Sequence, residues 1–280
     1  MVPPLAWMTY PRTSWYGMLL PVITSEPAGR TGNIMGEYAT LYALHHLYNV
    51  SVVVTGSMKE HLGAFPRLSL PRIPEQYTKT KWQKLTYVGS LYNYAPLELA
   101  AAGLLGPGLF ALRDTAFEIQ LFKKFKKNLQ QEFSFSDAIS IQASAFLQKV
   151  KILCQSRGNM DPVFVSFHIR RTDYRNHAEK HFGAALPEKS YFVRAMRYYR
   201  DKFPNRAVFI VASDDTLYVK REIGNMTDVF LSGGSSPALD MAILSSCNHS
   251  IVTMGSFGFW TGFLAGGEVV YPDVKYKKLY

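Results

Sequence analysis

Cysteine is scarce in this chain: Cys154 and Cys247 are the two in 280 residues. Two thiols so far apart exclude a disulfide framework and a cysteine-built zinc site. No helix-turn-helix, aromatic ribonucleoprotein stretch or zinc-finger spacing is present, so nothing in the sequence marks a nucleic-acid module. The dinucleotide fingerprint G-x-G-x-x-G is missing, and so are the metalloprotease order H-E-x-x-H and a manganese-binding D-x-D. His177 and His181 flank Glu179 at i,i+4 spacing, but they read as exposed loop histidines rather than metal ligands. The opening MVPPLAWMTYPR lacks the basic-then-apolar order of a secretory signal. One uncharged run, 241–267, is long enough to span a membrane. It carries Asn248, His249, several hydroxyls and five glycines, and is expected to fold as buried helix, strand and loop in a soluble chain.

What is present is an ordinary globular balance, 48% hydrophobic and 19% charged, with enough length to bury one large core or two smaller ones. Aromatics reach 14%, which suits a packed core and sugar stacking equally. The net charge of +10 favours polyanions or phosphorylated small molecules as partners. The densest basic run is Lys123, Lys124, Lys126 and Lys127. It is interleaved with Leu121, Phe122, Phe125 and Leu129 at helical spacing, the pattern of an amphipathic helix with a solvated basic face. Asn-x-Ser/Thr sequons stand at Asn49, Asn225 and Asn248, where composition predicts about one.

An apolar strand is expected over 18–24, then the loop EPAGRTGN, a helix over 34–47 and a second strand from Ser51. The stretch 66–107 gives little pattern. After a helical segment at 135–154 the rhythm becomes regular. Strands are expected at 163–169, 207–213, 228–232, 250–255 and 268–272, with helices at 189–202, 215–223, 237–247 and 256–266. Such alternation predicts an α/β fold, its C-terminal half a doubly wound parallel sheet, with ligands beyond the carboxyl ends of the strands. The expected halves are 1–155 and 156–280.

The segment SFHIRRTDYRNH ends the strand at 163–169. Strand alternation sends His168 and Arg170 to one side and Arg171 to the other. Adjacent arginines leaving a buried strand need an anion: either a diphosphate gripped by guanidinium forks, or an internal pair with Asp173. Ser256 and Phe257 open a helix directly after a strand, where N–H groups suit a phosphate and a serine suits simple capping. Arg30, Gly32 and Asn33 lie in the first strand-to-helix loop, where glycine permits close approach to a ligand. Asp214 and Asp215 follow Ser213 at another strand-to-helix junction. They serve as cap and dipole partners, or Asp215 accepts both N–H groups of guanine's pairing edge.

The string His168-Ile169-Arg170-Arg171-Thr172-Asp173-Tyr174 resembles the H-x-R-R-x-D-Y motif of the α-1,2-fucosyltransferases. GRTGNIMGEYATLYAL (29–44) and DMAILSSCNHSIVTMGSFGFWTGFLAGGEVVYP (240–272) resemble the family's N- and C-terminal motifs, so the likeness runs from about residue 17 to 272. It implies a GT-B-like arrangement of two facing Rossmann-like halves, an acceptor side in 1–155 and a GDP-fucose-binding half in 156–280. It further implies transfer of L-fucose from GDP-fucose to the 2-hydroxyl of a terminal β-galactoside, with inversion and without metal or other cofactor. By motif position Arg170 grips the donor pyrophosphate, His168 faces the nucleotide, and Asp173 orders the arginines or approaches the acceptor. Arg171, Arg30, Gly32, Asn33, Asp215, Ser256 and Phe257 are the remaining expected substrate contacts, and Asp240 is expected to tie strands together near them. Asp173 and Glu37 are the candidate general bases. Family members work as Golgi membrane proteins with a luminal catalytic domain, so an anchor and stem before this chain, and further residues after Pro272, are expected. A fucosyltransferase of another linkage and a non-catalytic GDP-sugar or glycan-binding protein remain alternatives.

Overall fold

Unbroken apolar runs such as VFVSFHI and AVFIVAS suit strands covered on both faces, and helices between them supply the cover. That is the arrangement in the computed structural model, which describes residues 14–73, 80–85, 95–113, 115–234 and 236–274. The chain divides into two α/β units. One comprises the described residues up to Gly63 together with Arg67–Glu132; the other comprises Ala64–Pro66 and the described residues from Phe133 onward.

The first unit opens with a two-stranded antiparallel ribbon, β1 (Ser14–Trp15) and β2 (Met18–Leu19), and continues through β3 (Val22–Ser25), α1 (Thr31–Tyr48), β4 (Ser51–Val52), α2 (Gly56–His61), β5 (Gln83–Leu85), α3 (Ala95–Ala101), β6 (Leu109–Leu112), α4 (Ile119–Phe122) and α5 (Lys126–Glu132). Its four-stranded sheet is parallel, in the order β4-β3-β6-β5. Helix α1 is buried continuously from Ile34 to Leu44, on all sides. Its polar members are accordingly satisfied from within. Thr40 Oγ1 donates to Ala116 O at 2.9 Å, and the Tyr38 hydroxyl donates to Glu132, which also accepts from Ser69 N at 2.8 Å. Across α4, a short 3₁₀ turn and α5, Leu121, Phe122 and Leu129 are buried while Lys123, Lys124 and Lys127 are exposed, as the amphipathic pattern requires.

The second unit contains α6 (Asp137–Ser156), β7 (Val163–Ile169), α7 (Tyr174–His177) running into a π-helical turn at Ala178–Phe182, α8 (Lys189–Lys202), β8 (Ala207–Ser213), α9 (Thr216–Glu222), β9 (Val229–Leu231), α10 (Pro237–Ser245), β10 (His249–Val252), α11 (Ser256–Ala265) and β11 (Val269–Val270). All five strands are parallel, in the order β11-β10-β7-β8-β9. Phe167, Phe209 and Ile251 face one core with Phe192, Met196 and Tyr199 of α8; Val208 and Ile210 face a second with Ala143 and Val150 of α6 and Ile243 of α10. Helices on both faces make this a doubly wound sheet. Because α6 packs on α10, it counts with the second unit, upstream of a 155/156 boundary. The run 241–267 is the end of α10, β10 and α11, with Trp260 fully buried. Among the described residues no helix is long and apolar enough to cross a membrane.

Chain order places the site. From β7 the chain moves outward through β8 and β9, then crosses back to lay β10 on the other side of β7. The carboxyl ends of β7 and β10 are therefore a topological switch point, where α/β sheets leave a crevice for ligands.

Candidate active site

The last residues of β7 and the four that follow build a charged cluster at that switch point. The Arg170 backbone N–H donates to Thr253 Oγ1 at 2.9 Å, and Thr253 N donates back to His168 O at 3.2 Å, so the loop after β10 fixes the exit of β7. The Arg170 side chain, 15% exposed, donates through Nη1 to Asp214 Oδ2 at 2.6 Å and through Nη2 to Asp173. Asp214 accepts further bonds from Arg171 N at 2.9 Å and from the Thr172 hydroxyl. Of the two alternatives raised by the sequence, the internal pair with Asp173 exists, and a second carboxylate, Asp214, joins it. Two acceptors on different ends of one guanidinium fix its plane.

Arg171 turns the other way, as strand alternation requires. Its side chain is 11% exposed, with its guanidinium carbon 3.5 Å from the centroid of the Tyr218 ring. Its Nε is buried without a hydrogen-bond partner, and the nearest carboxylate, Asp215 Oδ2, is 3.7 Å away. In this arrangement Arg171 lies against the first turns of α9, a cation–π contact being the main attraction. Asp215 caps that helix, accepting from Tyr218 N at 3.0 Å. This is the cap role that the sequence offered, and it engages Oδ1 alone. Asp215→Asn should therefore leave stability within about 0.5 kcal/mol, since Asn caps as well as Asp. A cap role alone would change GDP and ADP affinities by the same factor; calorimetry showing a loss confined to GDP would assign Asp215 to base recognition.

His168 points to the same side as Arg170 and is buried, its ring 4.7 Å from that of Phe257. Burial, reinforced by Arg170 and opposed by Asp214, pushes its pKa down to about 4, so the imidazole is neutral at pH 7. Its Nδ1 has no hydrogen-bond partner, and a Cβ added at Gly258 would lie 3.1 Å from it; glycine there lets α11 approach. Helix α11 starts at Gly255, whose φ of 108° and ψ of 155° suit glycine alone. Gly255, the N-cap, supplies no side-chain capping bond. Ser256 is its first helical residue rather than its cap, which removes the simple capping role the sequence allowed.

In the first unit, Gly32 and Asn33 belong to the opening turn of α1, not to the loop, and Arg30 is the exposed residue at its N-cap. Asn33 N donates to Arg30 O at 2.8 Å. Glu37 has no exposed surface; it accepts from Ser25 Oγ at 2.8 Å and Ala28 N at 3.0 Å, holding the loop after β3. This leaves Asp173, 55% exposed, as the accessible carboxylate of the two candidate bases. Burial pushes the Glu37 pKa up to about 6, against the opposing Ala28 and Ser25 hydrogen bonds. A folded state that holds the proton more tightly than the unfolded chain loses stability as pH rises from about 4.5 to 6. Glu37→Gln should abolish that slope, worth about 2 kcal/mol between pH 4 and 7; parallel melting curves for wild type and variant would show it. Asp240 accepts from Ser232 Oγ at 2.7 Å and so ties the loop after β9 to α10, instead of joining strands.

Sequence reasoning missed Asp214, Thr253 and Tyr218. Asp214 stood in view beside Asp215, and only the fold shows which of the two turns back to the arginines.

Residues 6–276 match the profile of glycosyl transferase family 11. The galactoside alpha-(1,2)-fucosyltransferase 1 of Plecturocebus brunneus is 30% identical over 96% of this chain and 74% of its own length. The enzyme of the same name from Oryctolagus cuniculus is 31% identical over 92% and 69%. Among solved structures, fucosyltransferase NodZ from Bradyrhizobium superposes with a TM-score of 0.54 at 12% identity, over 86% of this chain and 92% of that one. POFUT1 in complex with GDP-fucose gives 0.55 at 11% identity, over 91% and 98%. The fold is thus the GT-B type of these fucosyltransferases, and the chain belongs to glycosyl transferase family 11.

Proposed function

We propose that this chain moves L-fucose from GDP-fucose to the 2-hydroxyl of a terminal β-galactoside, inverting the anomeric centre and using no metal ion. The observation that carries the reading is a guanidinium, Arg170, fixed by two carboxylates at the switch point of the sheet. It lies in a chain 30% identical to a galactoside alpha-(1,2)-fucosyltransferase 1 over 96% of its length. As the bond from fucose C1 to the diphosphate breaks, negative charge grows on the leaving phosphate. Arg170 meets it with paired N–H donors, and the positive end of α11 adds its dipole; together these do what a metal would otherwise do. The neutral His168, in tilted ring contact with Phe257, adds a polar edge to the donor side without adding charge. The acceptor oxygen attacks C1 from the opposite side and its proton passes to a base, for which Asp173 is the accessible carboxylate. The three sequons support placing this chemistry in the lumen of a secretory compartment, the Golgi in this family's pattern.

Purified protein should transfer fucose from GDP-fucose, and not mannose from GDP-mannose, to a β-galactoside at a rate unchanged by excess EDTA. Loss of transfer in EDTA with recovery on adding manganese would overturn the metal-free mechanism. Nucleotide binding without any turnover would overturn the catalytic reading.

A further inference from the structure

We infer that Asn225 is a site of N-linked glycosylation, carrying an oligosaccharide on the edge of the second unit's sheet away from the catalytic cluster. The sequon Asn225-Met226-Thr227 forms the turn between α9 and β9, outside both elements. Asn225 and Thr227 are exposed, while Met226 between them packs on the hydrophobic core. The turn is therefore anchored by its middle residue, with the two residues that a glycosylating enzyme reads pointing outward. A side-chain hydrogen bond would restrain Asn225, and none is formed among the described residues; the bonds that reach the sequon hold Met226, through its sulfur to Arg200 Nη2 at 3.3 Å and through its backbone to Ile223 O and Val229 N, and the Thr227 carbonyl, which accepts from Arg157 Nη1 at 3.1 Å.

The other sequons are built into regular structure. Asn49 is the left-handed C-cap of α1, and its Ser51 lies in β4. Asn248 accepts from Phe164 N at 3.0 Å at the start of the β7–β10 ladder, and its Ser250 is fully buried, bonded to Ser166. Position favours Asn225 as well. β9 is the edge strand of a parallel sheet, and the turn precedes it, at the amino ends of the strands. Arg170, Asp214 and α11 occupy the carboxyl ends. A bulky, solvated glycan at Asn225 meets no catalytic group.

The modification balances simply. The Asn225 Nδ2 attacks the anomeric carbon of a lipid-pyrophosphate-linked oligosaccharide, an Nδ2–C1 bond forms and the C1–O bond to the pyrophosphate breaks. The amide gives up one proton, and the lipid pyrophosphate leaves. The proposal rests on the luminal placement above, so the test separates the two. The chain is translated behind a cleavable secretory leader into microsomes, and the protease-protected fraction is digested and mapped with and without glycosidase. A glycan mass on the peptide holding Asn225, absent in Asn225→Gln, is the expected result, with fucosyl transfer by that variant unchanged. An unmodified Asn225 peptide in the protected fraction overturns the proposal. Peptide mapping of the protein from its own cells tests luminal placement: glycan on the same peptide supports it, and an Asn225 that is modified in microsomes but bare in the cell overturns it.

Discussion

Arg170→Lys is expected to lower turnover roughly 10²–10³-fold, the loss typical of one electrostatic donor to a developing anion. The melting temperature should fall by a few degrees at most, since about 1–2 kcal/mol of charge-assisted hydrogen bonding is at stake. Lysine retains the charge and can pair with one of the two carboxylates, so a site needing only positive potential would tolerate it. What lysine cannot do is satisfy Asp214 and Asp173 from opposite ends of one plane and still present N–H groups to a diphosphate. The bonds to phosphate strengthen as the C1–O bond breaks, so kcat should carry the loss and KM for the donor should move little. Near-normal turnover would mean that Arg170 exists only to pair with its two carboxylates.

Asp214→Asn is the second large effect, and it distinguishes the residue that sequence reasoning passed over from its neighbour. Three donors converge on the Asp214 carboxylate: Arg170 Nη1, Arg171 N and the Thr172 hydroxyl. An amide keeps one acceptor and turns donors toward a guanidinium, leaving Arg170 held by Asp173 alone. Removing the charged partner should cost about 1.5–3 kcal/mol, lowering the melting temperature by roughly 3–10 °C. A guanidinium displaced by an ångström should cost on the order of 10²-fold in turnover. Asp215→Asn, one residue along, is the control, because its carboxylate caps α9 and makes no bond to Arg170. A loss of stability in Asp214→Asn with full turnover would reduce Asp214 to a latch between β7 and β8.

Much of the second unit is legible in the sequence, for a physical reason. Strands buried on both faces are continuous apolar runs, and β7 at Val163–Ile169 and β8 at Ala207–Ser213 have the bounds the sequence predicts, as does α8 at Lys189–Lys202. The first unit is harder to read. Its inner strand β6 is four residues, Leu109–Leu112, between a glycine-rich turn and Arg113, and a run that short carries no distinctive period. β5 is the triplet QKL, polar because it forms a sheet edge. Parts of the poorly patterned stretch 66–107, residues 74–79 and 86–94, lie outside the described residues.

At the site, strand alternation is enough to put His168 and Arg170 on one side and to send Arg171 to the other, while the roles expected of them come from the resemblance to the family's motif. Neither was enough to assign Asp214 and Asp215. Both follow the same strand, and which carboxylate turns back depends on the φ and ψ at a single junction. Nor does sequence show that Glu37 is sealed beneath the loop after β3. A glutamate in a helix reads as exposed unless the helix is known to be buried all round, and α1 is.

The central claim is a linkage as much as a reaction. The decisive measurement is linkage analysis, by methylation and NMR, of the product formed from GDP-fucose and a panel of β-galactosides. The account predicts a single product class, α-linked fucose on the 2-hydroxyl of the terminal galactose, formed by wild type and reduced at least 10²-fold by Arg170→Lys. Fucose on any other hydroxyl, or a β-anomer retaining the donor's configuration, would contradict it.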